Sequence, residues 1–258
     1  MTPVLCFDLE TVPDVAALRD TLGMGAGASD AEVAEQAFAL RREKTGSDFL
    51  PLHQHRIVAI GCLLRDEKGV RVRCLGEPGD PEEKLVHQFF RLIERDSPQI
   101  VSWNGSGFDL PVLHYRALRH GIVAQRYWEM GEDDREFKWN NYISRYHSRH
   151  LDLMDLLALY NLRAAAPLDE IARLCGFPGK LGMDGSQVWP AWQQGRIEEI
   201  RNYCETDVAN TWLVYCRFQQ FRGGWSPQAT EREIEALRAT ISGDDKKHWQ
   251  EFLAAWPG

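Results

Sequence analysis

The 258-residue chain has six cysteines, at positions 6, 62, 74, 175, 204 and 216, and no C-x-x-C pair among them. Several lie inside apolar segments, so they read as reduced core residues, and a zinc site built on thiolates is not expected. No apolar run approaches the ~18 residues of a membrane span. The opening residues, MTPVLCFDLE, also lack the basic start and small-residue cleavage pattern of a signal peptide. The expectation is a cytoplasmic protein that contacts no membrane. Positive charge is scarce too: 30 Lys and Arg against 38 Asp and Glu leave a formal −8. That balance argues against coating long nucleic acid by charge alone. It does not exclude an enzyme, because carboxylates gathered to hold metal ions push the total negative while a local basic groove coexists with it. There is no internal repeat and no low-complexity tract beyond a short Gly/Ala stretch. What is present is an ordinary globular composition, 44% hydrophobic and 26% charged. A chain of this length buries roughly 70 to 75% of its unfolded surface and needs no disulfides to fold.

Residues 3–9 (PVLCFDL), 57–64 and 70–75 read as strands, the last two joined by DEKG as a hairpin turn. Between the first two lies an insertion at about 21–50. It opens with the Gly/Ala-rich TLGMGAGASD, which reads as mobile, and continues with a helical pattern over 30–43; a lid and a plain insertion are both open. Asp80 and Pro81 read as cap and first turn of an amphipathic helix over 80–95, with Leu85, Phe89, Leu92 and Ile93 on one face. A strand follows at 99–103, then helices at 109–120, 152–160, 167–175 and about 196–221. Gly223, Gly224 and Pro227 mark a break, after which one or two charged amphipathic helices form a docked tail, so the chain divides at 1–222 and 223–258. Strands first and then strands mixed with helices give an α/β layer architecture.

Carboxylates sit oddly in three places. In the first strand Val4, Cys6, Asp8 and Glu10 share one face and Leu5, Phe7 and Leu9 the other. Apolar residues on both faces mark a central strand. Asp8 and Glu10 then emerge side by side at its C-terminal end, where each raises the other's pKa unless a cation intervenes; a strand end that has simply reached solvent is the alternative. In VSWNGSGFDLPVL a strand gives way to a glycine turn and Asp109 begins a helix with Pro111 in its first turn. Asp109 has a sufficient explanation as an N-cap, yet such turns at the carboxyl edge of an α/β sheet are where ligands gather. In IEEIRNYCETDVANTWLVY, the apolar stripe Ile197, Ile200, Cys204, Val208 and Trp212 runs beside Tyr203 and Asp207, which are four apart on one face. Asp inside a helix costs about half a kcal/mol relative to Ala, which suggests a compensating role; a Tyr–Asp surface hydrogen bond is the bland reading.

Taken in order, D-x-E, N-x-x-x-F-D and Y-x-x-x-D resemble the DEDD exonuclease superfamily, and the tyrosine resembles its DEDDy branch. More closely, FDLETVPD, WNGSGFDLPVL and YCETDV are similar to stand-alone relatives of the 3′-to-5′ proofreading exonuclease domain of family B DNA polymerases. The likeness spans about residues 3–220; the fifty residues after Pro13 and the tail beyond Gly223 lie outside it. It implies a ribonuclease-H-like α/β fold with a five-stranded mixed sheet, its first three strands antiparallel, flanked by helices. It implies Asp8, Glu10, Asp109 and Asp207 as ligands of two divalent cations, Mg²⁺ or Mn²⁺, with Asp8 bridging them and Tyr203 orienting the attacking water. The implied reaction is hydrolysis at single-stranded DNA 3′ ends to release nucleoside 5′-monophosphates, with recruitment by a replication or repair protein as a further expectation. An exoribonuclease and a non-catalytic nucleic-acid-binding module are the rivals, since the carboxylates cannot sense a 2′-hydroxyl.

Asn104 and Phe108 are implied contacts to the terminal nucleotide, although Phe108 is equally a core candidate. Lys180, Asp184 and Ser186 in GKLGMDGS are candidate phosphate contacts or plain loop residues. Residues 135–149 interleave Arg135, Lys138, Arg145 and Arg149 with Phe137, Trp139, Tyr142 and Tyr146, the composition of a single-strand stacking surface or of a core-covering β-hairpin. The pairs His53/His55 and His147/His150 lack the third ligand of a zinc site. Asp152 and Asp155 read as a helix cap and first turn, and Asp14 as a turn residue.

Overall fold

A computed structural model describes residues 2–256. In chain order the elements are β1 (Val4–Pro13), α1 (Val15–Thr21), α2 (Asp30–Thr45), β2 (His55–Asp66), β3 (Gly69–Cys74), α3 (Glu82–Asp96), β4 (Gln99–Ser102), α4 (Asp109–His120) and α5 (Gln125–Trp128). They continue with β5 (His150–Asp152), α6 (Leu153–Leu157), α7 (Leu168–Leu174), α8 (Val188–Gln193), α9 (Ile197–Phe221), α10 (Pro227–Ser242) and α11 (Lys247–Ala254). The strands form one mixed sheet in the order β3-β2-β1-β4-β5. β1, β2 and β3 pair antiparallel, and β4 and β5 continue parallel to β1.

β1 is central because both of its faces are apolar. Leu5, Phe7 and Leu9 pack with Phe89 and Ile93 of α3 and Leu113 of α4. Val4 and Cys6 on the other face pack with Val208, Trp212 and Leu213 of α9. α10 and α11 then cover the outer side of α9 through Ile234, Leu237, Trp249 and Phe252. This covering explains why α9 is buried nearly all round from Ile200 to Cys216. Glu205, buried in this helix, is satisfied by tertiary partners: it accepts from the Cys74 N–H at 3.0 Å and from Lys246 and His248 of the tail at 3.1 and 3.0 Å.

Several elements differ from the sequence expectation, each for a local reason. β1 runs on to Pro13, because β2 begins at His55 and pairs with it through a bulge between Glu10 and Thr11. Glu10 therefore lies inside the strand rather than at its end. α1 was not anticipated; Asp14 caps it and is more than a turn residue, because its carboxylate also pairs with buried Arg116 at 2.6 Å. Asp80 does not cap α3. Pro81 holds the cap position while Asp80 accepts from the Glu77 N–H. β5 is three residues long, too short for alternation to reveal it. Residues 135–149 form no hairpin: a 3-10 turn at Arg135–Lys138 leads into irregular chain that buries Phe137 and Tyr142 and leaves Trp139 and Tyr146 exposed. α6 stops at Leu157, short of residue 160, and Leu159 and Tyr160 follow with positive φ.

Gly61 sets how closely α9 approaches the sheet. It faces Asp8 across the β1–β2 ladder, and a Cβ there would sit 2.8 Å from the Cys204 carbonyl oxygen and 2.9 Å from its Sγ. Gly61→Ala should therefore destabilise the protein by about 1–3 kcal/mol, the usual range for overpacking. Urea denaturation of the two proteins checks this, the midpoint falling with an unchanged slope.

Candidate active site

The bulged central strand and the buried helix bring their polar residues to one place. Asp8 and Glu10 lie on the face of β1 that α9 covers, and the ligand atoms of Asp8, Glu10 and Cys204 all fall within 4.8 Å of one another. The Cys204 thiol accepts from the Gly61 N–H at 3.1 Å and approaches the Asp8 backbone and carboxylate oxygens at 3.4 and 3.6 Å. One turn on, Asp207 turns toward the same group, its Oδ2 2.9 Å from the Lys180 ammonium. Lys180 also donates to the Tyr203 hydroxyl. Glu10, Asp109 and Asp207 are buried, and Asp8 keeps some access to solvent.

Asp109 is not the cap of α4. Phe108 occupies that position without a side-chain bond, and Asp109, the first helical residue, accepts from the Leu9 N–H at 3.0 Å. That bond lies between Asp8 and Glu10 in sequence and ties α4 to β1. The turn before it is held by Asp152, whose carboxylate accepts from the Asn104 and Ser106 N–H groups at 2.9 and 2.8 Å as well as capping α6. Asn104 takes the left-handed conformation, φ 62°, that this turn requires. Phe108 is half-buried, its ring 5.4 Å from His55 and 5.8 Å from Phe49 of the insertion.

The electrostatics follow from burial. Desolvation pushes the Asp8 carboxyl well above its ordinary range, and the charges of Asp109 and Asp207 push further. Glu10 is raised by burial and then by Asp8 and Asp207. Burial lifts Asp109 to about 7 despite the Leu9 N–H, and lifts Asp207 despite Lys180. Burial works against charge on Lys180, yet Asp207, Asp8 and Glu10 hold it above the usual lysine value. Burial and the same carboxylates raise the Tyr203 phenol, which stays neutral across the physiological range. Asp207 Oδ1 is buried with no hydrogen-bond partner among the described residues. Asp8, Glu10 and Asp207 share one ammonium here, Asp109 adds its charge against Asp8, and one Asp207 oxygen is orphaned. Hard oxygen donors in such excess fit divalent cations of the Mg²⁺ and Mn²⁺ type.

The five residues of the three motifs thus converge. Lys180, expected as a phosphate contact, is found on Asp207 and Tyr203, whereas Asp184 caps a 3-10 turn at Gly185–Gln187 and holds Ser186. Three of these four histidines are held by hydrogen bonds: His55 meets Thr11 and the Leu50 carbonyl, His147 accepts from the Asn141 N–H, and His150 bonds Ser102, while the His53 ring lies 6.1 Å from that of Tyr115. Two site residues escaped the sequence reading. Cys204 counted only as stripe, although it is next to Tyr203, and Asp152 counted only as a cap.

Because the folded Asp109 carboxyl has a pKa near 7 and an unfolded one about 3.9, the folded state binds the extra proton between those values. Its contribution to stability is present at low pH and is lost as pH rises through 7. In EDTA, Asp109→Asn should accordingly gain in melting temperature relative to wild type between pH 5 and pH 8. Thermal scans across that range check the trend, and added Mn²⁺ should stabilise wild type most at the alkaline end.

Comparison with known proteins gives consistent results. The chain is 26% identical over 136 residues to a DNA polymerase of Archaeoglobus fulgidus, covering 52% of this chain and 17% of that protein. It is 33% identical over 81 residues to DNA polymerase 1 of Sulfolobus acidocaldarius, covering 31% and 7%. The family B DNA polymerase from Pyrobaculum calidifontis superimposes with a TM-score of 0.50 at 17% identity, over 85% of this chain and 24% of that one. The chain therefore spans less than a quarter of the length of each of these relatives, and the shared architecture is ribonuclease-H-like. A family model for predicted 3′-5′ exonucleases related to the exonuclease domain of PolB matches residues 47–256, running through the C-terminal helices. Sheet order, match length and the direction of all these similarities agree, and the chain belongs to that PolB-related exonuclease family.

Proposed function

We propose that the protein is a 3′-to-5′ exonuclease that hydrolyses phosphodiester bonds at single-stranded DNA ends and releases nucleoside 5′-monophosphates. The observation that carries this reading is the clustering of Asp8, Glu10, Asp109 and Asp207, each close enough to raise the pKa of another, with Tyr203 at their side and Asp207 Oδ1 without a partner among the described residues. Exonuclease domains of this kind use divalent metals. Asp8, Glu10 and Asp207 would hold them, with Asp109 contributing the carboxylate oxygen that the Leu9 N–H leaves free. When bound, two such ions acidify a water and neutralise charge on the phosphate oxygens.

The remaining work falls to the chain's own groups. The Tyr203 hydroxyl sits between the Lys180 ammonium, which donates to it, and the Asp207 carboxylate, and from that place it would orient the attacking water. With its raised pKa, Tyr203 acts as a positioning hydroxyl and not as a base. The Lys180 side chain is one-third exposed, and its ammonium would meet the non-bridging oxygens of a phosphate. Asn104 and Phe108, on the turn braced by Asp152, line the approach for the terminal nucleotide.

The test is the shortening of 5′-labelled single strands with Mg²⁺ or Mn²⁺. Asp8→Ala and Asp207→Ala should each lower the rate by roughly a hundredfold or more, and Tyr203→Phe by less. Absence of a ladder with wild type, or an undiminished one with Asp8→Ala, overturns the reading. An RNA strand of the same sequence, run in competition, assigns the sugar.

A further inference from the structure

An aromatic trio rests against the chain neighbours of two of the carboxylates. Phe108 is the residue before Asp109, His55 opens β2 and bonds Thr11, the residue after Glu10, and Phe49 comes from the end of the insertion. Ring centroids are 5.3 Å apart for Phe49 and His55, 5.8 Å for Phe49 and Phe108, and 5.4 Å for His55 and Phe108, the last pair edge to face. Tilted and edge contacts at these separations are the favourable ones for aromatic rings. The three rings differ in exposure: His55 is buried, Phe108 is half-buried, and Phe49 is 54% exposed.

An exposed apolar residue standing singly needs no explanation, but Phe49 does not stand singly, and the chain that carries it is fixed. Its carbonyl accepts from Arg41 Nε of α2 at 2.9 Å, and its N–H donates to Ser47 Oγ at 3.2 Å. The next residue, Leu50, is buried with Leu18, Val33 and Ala37 of α1 and α2, and its carbonyl lies 3.1 Å from His55 Nε2. A carbonyl can only accept, so Nε2 carries the proton and Nδ1 accepts from the Thr11 hydroxyl at 2.9 Å. Burial lowers the His55 pKa, which keeps this neutral tautomer in place at neutral pH. The exposed ring is therefore held in position before any ligand arrives, and little ordering remains to be done on binding. A flat apolar surface of this kind stacks a nucleobase, since every base presents a π-face.

We propose that Phe49 is a substrate-binding residue whose exposed face stacks on the base of the nucleotide at the 3′ end of a single strand, so that the insertion at 21–50 serves as the base clamp of the carboxylate site. The inference rests on the exonuclease reading for the polarity of the strand. Its consequence is selectivity: a strand whose last nucleotide lacks a base is held poorly, whatever the sequence behind it.

Fluorescence anisotropy with 5′-labelled single strands that end in an ordinary or an abasic nucleotide tests this on the full chain. It is run in EDTA, where metal-dependent hydrolysis stops, and on Asp8→Ala, where repulsion of the phosphates is reduced. The ordinary end should bind about fivefold or more tighter than the abasic end, the usual scale for one base stacked on an aromatic ring. Phe49→Ala should bring the two ends to within about twofold by weakening the ordinary end alone. Phe49→Tyr should keep the difference, and Phe49→Leu, apolar but not flat, should lose most of it, with melting temperature as the control for folding. Equal binding of the two ends by wild type, an undiminished difference in folded Phe49→Ala or Phe49→Leu, or no binding of either strand overturns the inference. Cleavage separates it from the reading it rests on. Base-dependent binding through Phe49 with no shortening in Mg²⁺ or Mn²⁺ overturns the exonuclease and leaves the stacking, whereas shortening with no difference between the ends leaves the exonuclease and overturns the stacking.

Discussion

Mutual repulsion among four carboxylates, three of them buried, is the constraint around which the molecule is organised. Left to themselves, Asp8, Glu10, Asp109 and Asp207 would move apart or take up protons, and one ammonium, that of Lys180, does not balance them. They are kept together by elements that cannot yield. β1 is fixed by neighbours on both edges and cores on both faces. α9 is pressed onto β2 at Gly61, and α4 is tied to β1 by the Leu9–Asp109 bond. Packing thus holds the charges where electrostatics alone would not, which is the usual sign of a functional site rather than of a stability device.

A second layer of buried charge supports this one. Arg116 reaches Asp14 at the end of β1 and Glu82 at the start of α3, and Glu82 also accepts from the Ile57 N–H beside the bulge that follows Glu10. The bulge is consequently braced from outside the sheet by an ion pair taken almost wholly out of water. Pairs of this kind add little net stability, yet removing one partner is costly because the other charge stays buried. Arg116 therefore contributes to where Glu10 points, at a distance from any reacting atom.

Legibility from sequence followed the range of the physics involved. Alternation placed Asp8 and Glu10 on one face of a two-sided strand, and helical periodicity placed Tyr203 beside Asp207, because both are local geometric facts. The long helices and the DEKG hairpin were readable on the same ground. What stayed hidden is set by tertiary contact. Asp109 looked like a cap because helix starts favour Asp, and only the approach of β1 shows that its partner is Leu9. Cys204 beside Asp8, and Asp152 beneath the Asn104 turn, involve pairs 196 and 48 residues apart. β5 is too short to carry a period, and the aromatic run at 135–149 was split by burial, which composition does not report.

Glu205 has one last implication, concerning the order in which the protein comes into being. The helix with Tyr203 and Asp207 is flanked on its far side by residues up to Phe252, and Glu205 is met there by Lys246 and His248. During synthesis those residues emerge long after Asp8 and Glu10, so the nascent chain carries this acidic pair through a long stretch of translation without a finished wall opposite it. Maturation of the carboxylate cluster therefore waits for α10 and α11 rather than ending with the folding of residues 1–222.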